Sequence, residues 1–419
     1  MLVFEAKLQG QEEQYRALDE ALRTARFVRN SCLKYWMENK GVGRYDLNKY
    51  CKVLSDNPEF PWVSKLNSMA RQSMAERAWS AIARFFDNCK KKCSQQLQPS
   101  GNQKVCLRAP GKKGFPQFKR HQTHASVEYK TTGWKLSVDR RHITFTDGFE
   151  AGTFKLWGTR DLHYYQIEQI KRVRVVRRAD GYYAQFCINV GRIEKRSPTF
   201  KTVGLDVGLT YFYTDSDGLQ VENPRYLRKS EKSLKRLQRR LSKTKKGSKN
   251  RVKFRNKLAR KHLKVSRQRK DFATKIARCV VMSNDLVAYE DLQVRNMVRN
   301  RHLAKSISDA AWMQFRSWIE YFGKVFGVVT VAVPPQYTSQ SCSNCGEIVK
   351  KSLSVRTHIC PHCGNVQDRD HNAAKNILEI GLRTVGHTGT LIASGETDQY
   401  LGDANPPSKS THGKRKPKQ

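Results

Sequence analysis

The chain has 419 residues, and its 79 Lys+Arg against 37 Asp+Glu leave a formal net charge of +42. Hydrophobic residues make up 38% and aromatics 10%, which excludes wholesale disorder, while the length asks for about two to four domains. Such a charge repels itself unless a polyanion neutralises it, which favours a nucleic-acid partner. No apolar run reaches the roughly 18 residues that span a bilayer, and residues 1–10 carry no signal-peptide pattern. Eleven cysteines, most in apolar contexts such as Cys32, Cys187 and Cys279, suit a reducing compartment. A cytoplasmic protein without a membrane partner is expected.

In chain order, Tyr15, Leu18, Leu22, Ala25, Val28, Cys32 and Trp36 keep spacings of three and four, which predicts an amphipathic helix. Ala70, Met74, Ala78, Ile82 and Phe85 repeat the pattern after Pro61. Residues 94–120 read as a loop. From about Val127 the period changes to two, clearest at Tyr182, Ala184, Phe186, Ile188 and Val190, predicting an antiparallel sheet or barrel over roughly 121–195. Val203 to Leu209 reads as a buried strand, with a turn at Asp215–Gly218. Lys229 to Lys270 then holds twenty Lys/Arg and one acid, Glu231; leucines at helical spacing on either side of Gly247-Ser248 predict a basic helical hairpin. A strand at 286–289, a helix at 310–326 and a strand at 328–333 follow. Trp312, Phe315 and Trp318 are read as core rather than stacking groups. After His387 the composition turns polar and predicts a disordered basic tail.

Two constellations carry chemistry. Cys342-x-x-Cys345 and Cys360-x-x-Cys363, fourteen residues apart, have the spacing at which paired thiolates reach one tetrahedral ion. Four thiolates leave no open position, so one structural Zn²⁺ is expected. The second is a set of carboxylates. Asp206 closes a strand between Gly204 and Gly208, whose missing side chains are read as room for a metal and a phosphate backbone. Glu290 closes the strand Leu286–Tyr289, and Asp370 opens a helix on its apolar face, with Asp368 as the N-cap. Three acids ending strand, strand and helix suit a site for two Mg²⁺ ions. The hairpin's unscreened charge favours contact with a phosphate backbone, assigned to Arg236, Arg239, Arg240, Lys243, Lys245, Lys246, Arg251, Arg255, Arg260 and Lys261.

VGLDVGLTYFYTDSDG, VAYEDLQVRNM, PPQYTSQSCSNCG with HICPHCG, and DRDHNAAKNIL occur in that order. The set closely resembles the TnpB family of transposon-encoded, RNA-guided DNA endonucleases, relatives of type V CRISPR effectors, over about 200–385 and more loosely over 1–195. The resemblance implies an α+β multidomain chain. Its first strand (1–10) would belong to a wedge β-barrel (121–197), with a helical recognition domain (11–120) between them. A ribonuclease-H-like, RuvC-type nuclease domain would follow in two parts (198–335 and 367–386), with the basic hairpin 229–270 inserted and a zinc ribbon (336–366) between the parts. The tail would be 387–419. It further implies that Asp206, Glu290 and Asp370 are the catalytic acids and that the four cysteines hold the ribbon. Arg71 and Gln72 would lie where a short motif flanking the target is read. The partners implied are a guide RNA with a structured scaffold and double-stranded target DNA, gripped by a monomer. Two alternatives remain open: a transposase acting directly on transposon-end DNA, and a nuclease-inactive, RNA-guided repressor.

Overall fold

The computed structural model describes residues 2–94, 114–120, 126–158, 162–352 and 355–386. The expected tail 387–419 and most of the expected loop 94–120 lie outside them. Contacts divide the chain into two units, Met1–Glu194 with Leu227–Gln268, and Lys195–Tyr226 with the rest from Arg269 onward.

The first unit opens with strand β1 (Leu2–Gln9) and helices α1 (Glu12–Glu38), α2 (Arg44–Asp56), α3 (Trp62–Lys65) and α4 (Ser68–Ser94). The stripes read from the sequence are the faces that pack. Leu18, Leu22, Ala25, Val28 and Cys32 of α1 are buried with Ala70, Met74, Ala78 and Ile82 of α4. Strands β2 (Ser126–Tyr129), β3 (Trp134–Leu136), β4 (His142–Phe145), β5 (Gly152–Trp157), β6 (Ile170–Arg178) and β7 (Gly181–Ile188) join β1 in an antiparallel sheet, ordered β2-β6-β7-β1-β5-β4-β3. Strand β1 pairs antiparallel with both β7 and β5. The expected barrel is not closed among the described residues. Strands β2 and β3 stand at opposite ends of the order and do not pair with each other. Alternation in the sequence fixes which side of each strand is apolar but not whether the edge strands meet.

The second unit is built on strands β8 (Thr202–Asp206), β9 (Tyr211–Asp215) and β10 (Gln220–Glu222). In chain order the hairpin helices α5 (Tyr226–Ser242) and α6 (Lys249–Met282) follow, broken at the Gly247 turn as the sequence indicates; their residues 227–268 belong to the first unit, and only the end of α6 from Arg269 belongs to the second. Next come β11 (Leu286–Glu290), α7 (Val294–Met297), α8 (Ala304–Ala310), α9 (Trp312–Phe326) and β12 (Val329–Val333). A small hairpin, β13 (Thr357–Ile359) with β14 (Val366–Asp368), leads into α10 (Arg369–Thr384). The sheet order is β10-β9-β8-β11-β12, with β8, β11 and β12 parallel and β9 and β10 antiparallel. Trp312 and Phe315 are core residues as expected, with Trp318 packed at its margin. Cys32 and Cys187 are buried thiols, but Cys279 is exposed, because it lies on the outer side of α6.

Candidate active site and metal centre

Parallel pairing sets Val287 beside Val203, Ala288 beside Gly204 and Tyr289 beside Leu205. One step further the same register puts Glu290 beside Asp206, and strand alternation turns both toward the face that carries Gly204 and Ala288. Helix α10 lies on that face. A Cβ on Gly204 would stand 2.2 Å from the Ala374 carbonyl oxygen, and one on Gly381 would meet the Ala288 Cβ at 2.5 Å. The missing side chain at Gly204 therefore makes room for a helix, not for the metal and phosphate that the sequence reading placed there. Asp370 precedes Ala374 by one turn, so the helix delivers it to the strand ends where Asp206 and Glu290 sit. Asp368 is the N-cap, as expected, accepting from the N–H groups of Asp370 and His371 at 2.9 and 3.1 Å. In open α/β sheets this end of the parallel strands is where ligands bind.

The electrostatics match a site built for cations. Burial, and then the charges of Glu290 and Asp370, push the Asp206 carboxyl well above the usual range. Burial also raises Glu290, against a hydroxyl donated by Thr338 at 2.7 Å. Asp370 is raised by burial and pulled back by Arg356, which lies 3.4 Å from each of its oxygens. The carboxylate oxygens do not all converge within the 4.8 Å that gathers the four cysteine sulfurs. A pair of ions about 4 Å apart does not require them to, since each ion takes its own ligands. Three half-buried carboxylates, with only Arg356 and Arg369 as cations acting on them, fit hard divalent cations.

The four cysteines come together as expected. Cys342 and Cys363 are 3.6 Å apart, as are Cys345 and Cys360. Each pair closes a tight turn in which Gly346 or Gly364 takes a positive φ, 80° and 70°, and donates its N–H to the first cysteine's carbonyl. Burial opposes ionisation of Cys342, but backbone N–H groups of Asn344 and Cys345, with His358 and Asn365, draw its thiol down to about 5. A thiolate at neutral pH is the form that ligates metal.

Sequence reading missed the link between these centres. Asn372 of α10 accepts from the Ser343 N–H at 2.9 Å and donates to the Ser341 carbonyl at 2.8 Å. One turn later Asn376 donates to the Thr338 and Ser341 carbonyls at 2.7 and 2.8 Å. Both asparagines are buried. Polar residues on an otherwise apolar helix face were the available signal. Thr338 stood in a quoted motif without a role, and Arg356 gave no signal at all.

The other expected residues are distributed differently. On the hairpin, Arg236, Arg239, Arg240, Lys243, Lys245, Lys246, Arg255 and Arg260 are exposed, and Lys261 is half-buried. Arg251 is turned inward, donating to the Leu241 and Thr244 carbonyls at 3.1 and 3.0 Å and so closing the hairpin turn. Gln72 is half-buried. Arg71 donates to the Val63 and Ser64 carbonyls at 3.0 and 3.2 Å, a structural use of the side chain expected near the flanking-motif contact.

Residues 185–301 match a family model described as "Probable transposase", and residues 312–377 match one described as "Cas12f1-like, TNB domain". A Streptomyces pristinaespiralis protein named "Putative RNA-guided DNA endonuclease" is 30% identical over 387 residues, covering 90% of this chain and 89% of the relative. An Escherichia coli K12 protein of the same description, InsQ, is 30% identical over 297 residues, covering 67% of this chain and 72% of its own. The fold is shared with a mini-RNA-guided endonuclease, CRISPR-Cas_phi3, at a TM-score of 0.50 and 10% identity over 91% of this chain and 92% of that one. With the motif order, the carboxylates and the cysteine knuckles in place, a likeness that runs nearly end to end settles the family: the chain belongs to the TnpB family.

Proposed function

We propose that this protein is an RNA-guided DNA endonuclease. The observation that carries the reading is the placement of Asp206, Glu290 and Asp370 at one end of one sheet face in a chain of net charge +42. Guide pairing would read the target sequence, while the protein holds the heteroduplex by its backbone and reads a short flanking motif. Relatives over most of the chain carry names that state this activity.

In the mechanism, Asp206 and Glu290 would hold the cations and Asp370 would complete the site. Two Mg²⁺ ions would supply a water nucleophile at neutral pH and stabilise the leaving oxygen. Thr338 fixes one Glu290 oxygen and leaves the other free. Strand ends and a helix start orient all three carboxylates, so little reorganisation accompanies binding. Hydrolysis leaves 5′-phosphate and 3′-hydroxyl ends. Cys342, Cys345, Cys360 and Cys363 suit one structural Zn²⁺, whose four thiolate ligands would leave no position for substrate. On this reading the mixed sheet with α10 is the RuvC-type nuclease domain and 336–366 the ribbon. The first unit's helices and sheet are the recognition and wedge modules. No helix among the described residues is long and apolar enough to cross a membrane.

The test is to express the gene with its own 3′ flanking DNA, purify the protein and sequence the RNA that accompanies it. One discrete species, a constant scaffold ending in a variable segment that directs Mg²⁺-dependent cutting of matching DNA, is expected. Heterogeneous fragments, with cutting that ignores the RNA, would overturn the reading in favour of direct action on DNA.

A further inference from the structure

No Asp or Glu occurs between Asp87 and Glu128, and this stretch feeds a convergence of cations within the first unit. Asn30 of α1 clamps the main chain at Lys119, accepting from its N–H and donating to its carbonyl, both at 3.0 Å. The adjacent Arg29, only 7% exposed, donates to the Gln117 carbonyl at 3.3 Å. From α4, Arg77 donates to the Ser126 hydroxyl at 3.0 Å. Ser126 and Glu128 lie two apart on β2 and so share a face, and Glu128 stands opposite Arg174 of β6. Both Arg172 and Arg174 bond Glu128, each at 2.7 Å. Helix, helix, strand and connecting segment thus bring Arg29, Arg77, Lys119 and Arg174 within electrostatic reach of one another, while the nearby Glu128 is already occupied by Arg172 and Arg174.

Among the described residues, none of Arg29, Arg77 and Lys119 has a carboxylate within ion-pair distance, and the Lys119 ammonium has no hydrogen-bond acceptor. Segments 95–113 and 121–125 contain no acid that could supply one. The crowding is visible in the lysine, which burial first, then Arg77, Arg29 and Arg174, push down to about 8. Burial lowers Arg29 and Arg77 too. Like charges gathered in partly desolvated ground are costly until an anion joins them. Two guanidinium groups with an ammonium are the donor set that phosphate oxygens take.

We propose that Arg29, Arg77 and Lys119 form a binding site for a single phosphate group, whose source in the working protein is a phosphodiester of the bound RNA. That source rests on the RNA-guided reading; the site itself does not.

Lys119→Gln tests it in the full chain, because the Asn30 clamp uses only main-chain atoms and survives the change. Thermal melting is followed in inorganic phosphate and in chloride at matched ionic strength, and oligouridylate binding is followed across a salt series. The parent protein should melt higher in phosphate. Lys119→Gln should lose that increment, bind phosphate about tenfold more weakly, as loss of one charge-assisted hydrogen bond implies, and melt no lower than the parent in chloride. The slope of its log affinity against log salt should drop by about 0.7, one single-strand contact. Lys324→Gln, an exposed lysine of α9, should change neither quantity. A retained phosphate increment, or a lower melting point in chloride, overturns the site and makes the cluster structural. A lost increment with an unchanged oligouridylate slope overturns the RNA source alone. A parent protein that binds no oligouridylate overturns the RNA-guided reading, and the phosphate arm still decides the site.

Discussion

Strand register and a helix start set Asp206 within electrostatic reach of two other carboxylates. Burial and their charges both resist its ionisation. That repulsion is a cost to the metal-free fold and an asset once cations arrive. Asp206→Asn keeps the shape and removes one negative charge. It should cut DNA at least about a thousandfold more slowly while retaining RNA and DNA binding, and without metal it should melt higher than the parent. Single-turnover cleavage, binding titrations and melting in EDTA check this; Mg²⁺-dependent cutting at the parental rate would remove Asp206 from the site. Thr338 makes the complementary case. Its hydroxyl holds a carboxylate and touches nothing that reacts, so it is a positioning residue. Thr338→Val should raise the Mg²⁺ concentration for half-maximal cleavage and slow cutting about tenfold, the worth of a hydrogen bond to a charged group. Thr338→Ser should restore both, whereas a merely structural threonine would leave the Mg²⁺ requirement untouched. Asp206 and Glu290 stood out because an acid ending an apolar strand is chemically out of place, and Asp370 because it sits on the apolar face of a helix. Thr338 did not, because a threonine in a loop is ordinary until its partner across the chain is known.

At the scale of elements, α10 connects the two centres. Its apolar side lies on Gly204 and Ala288, its first turn carries Asp370, and its two buried asparagines hold the chain entering the cysteine ribbon. Of the two carbonyls that Asn376 grips, one belongs to Thr338, so ribbon, helix and Glu290 share one hydrogen-bonded path. Thiolate ligation of zinc contributes roughly 10–16 kcal/mol to segments of this kind. Removing the ion, with a chelator or by Cys345→Ser, should melt the ribbon, release Thr338 and abolish cleavage. RNA should still copurify, because the cationic surface of the first unit does not depend on the ion. Circular dichroism, copurified RNA and cleavage measured on one preparation check this; full cleavage by the zinc-free protein would break the proposed path. The sequence showed α10 by its periodicity and the knuckles by their spacing. It misassigned Gly204, because an absent side chain looks the same whether a helix or a ligand fills the space. Closure of the β2-to-β3 sheet was illegible for a related reason: it depends on two edge strands far apart in the order, and no local pattern records whether they meet.

Over the whole molecule, the net charge of +42 must be divided between cations that hold the fold and cations that await a polyanion. The hairpin shows the division within one motif. Arg251 spends its guanidinium on two carbonyls at the turn, and Lys235 pairs with Glu231, the hairpin's lone acid before Asp271. Arg239, Arg240, Lys243 and Lys245 project into solvent. Their mutual repulsion is relieved only by something outside the chain, and exposed charges contribute little to folding themselves. Replacing these four with Gln should therefore leave the melting temperature near the parental value. It should flatten the slope of log RNA affinity against log salt by up to about 3, at roughly 0.7 per single-strand phosphate contact. Arg251→Gln should do the reverse, lowering the melting temperature while changing the slope by no more than a single contact. Melting curves and salt titrations of the two variants separate the roles. If the fourfold variant kept the parental slope, the RNA would have to be gripped elsewhere, and the hairpin's charge would need another partner. A parental melting temperature for Arg251→Gln would mean that the Gly247 turn closes without it, and that Arg251 belongs with the contacts the sequence assigned to it.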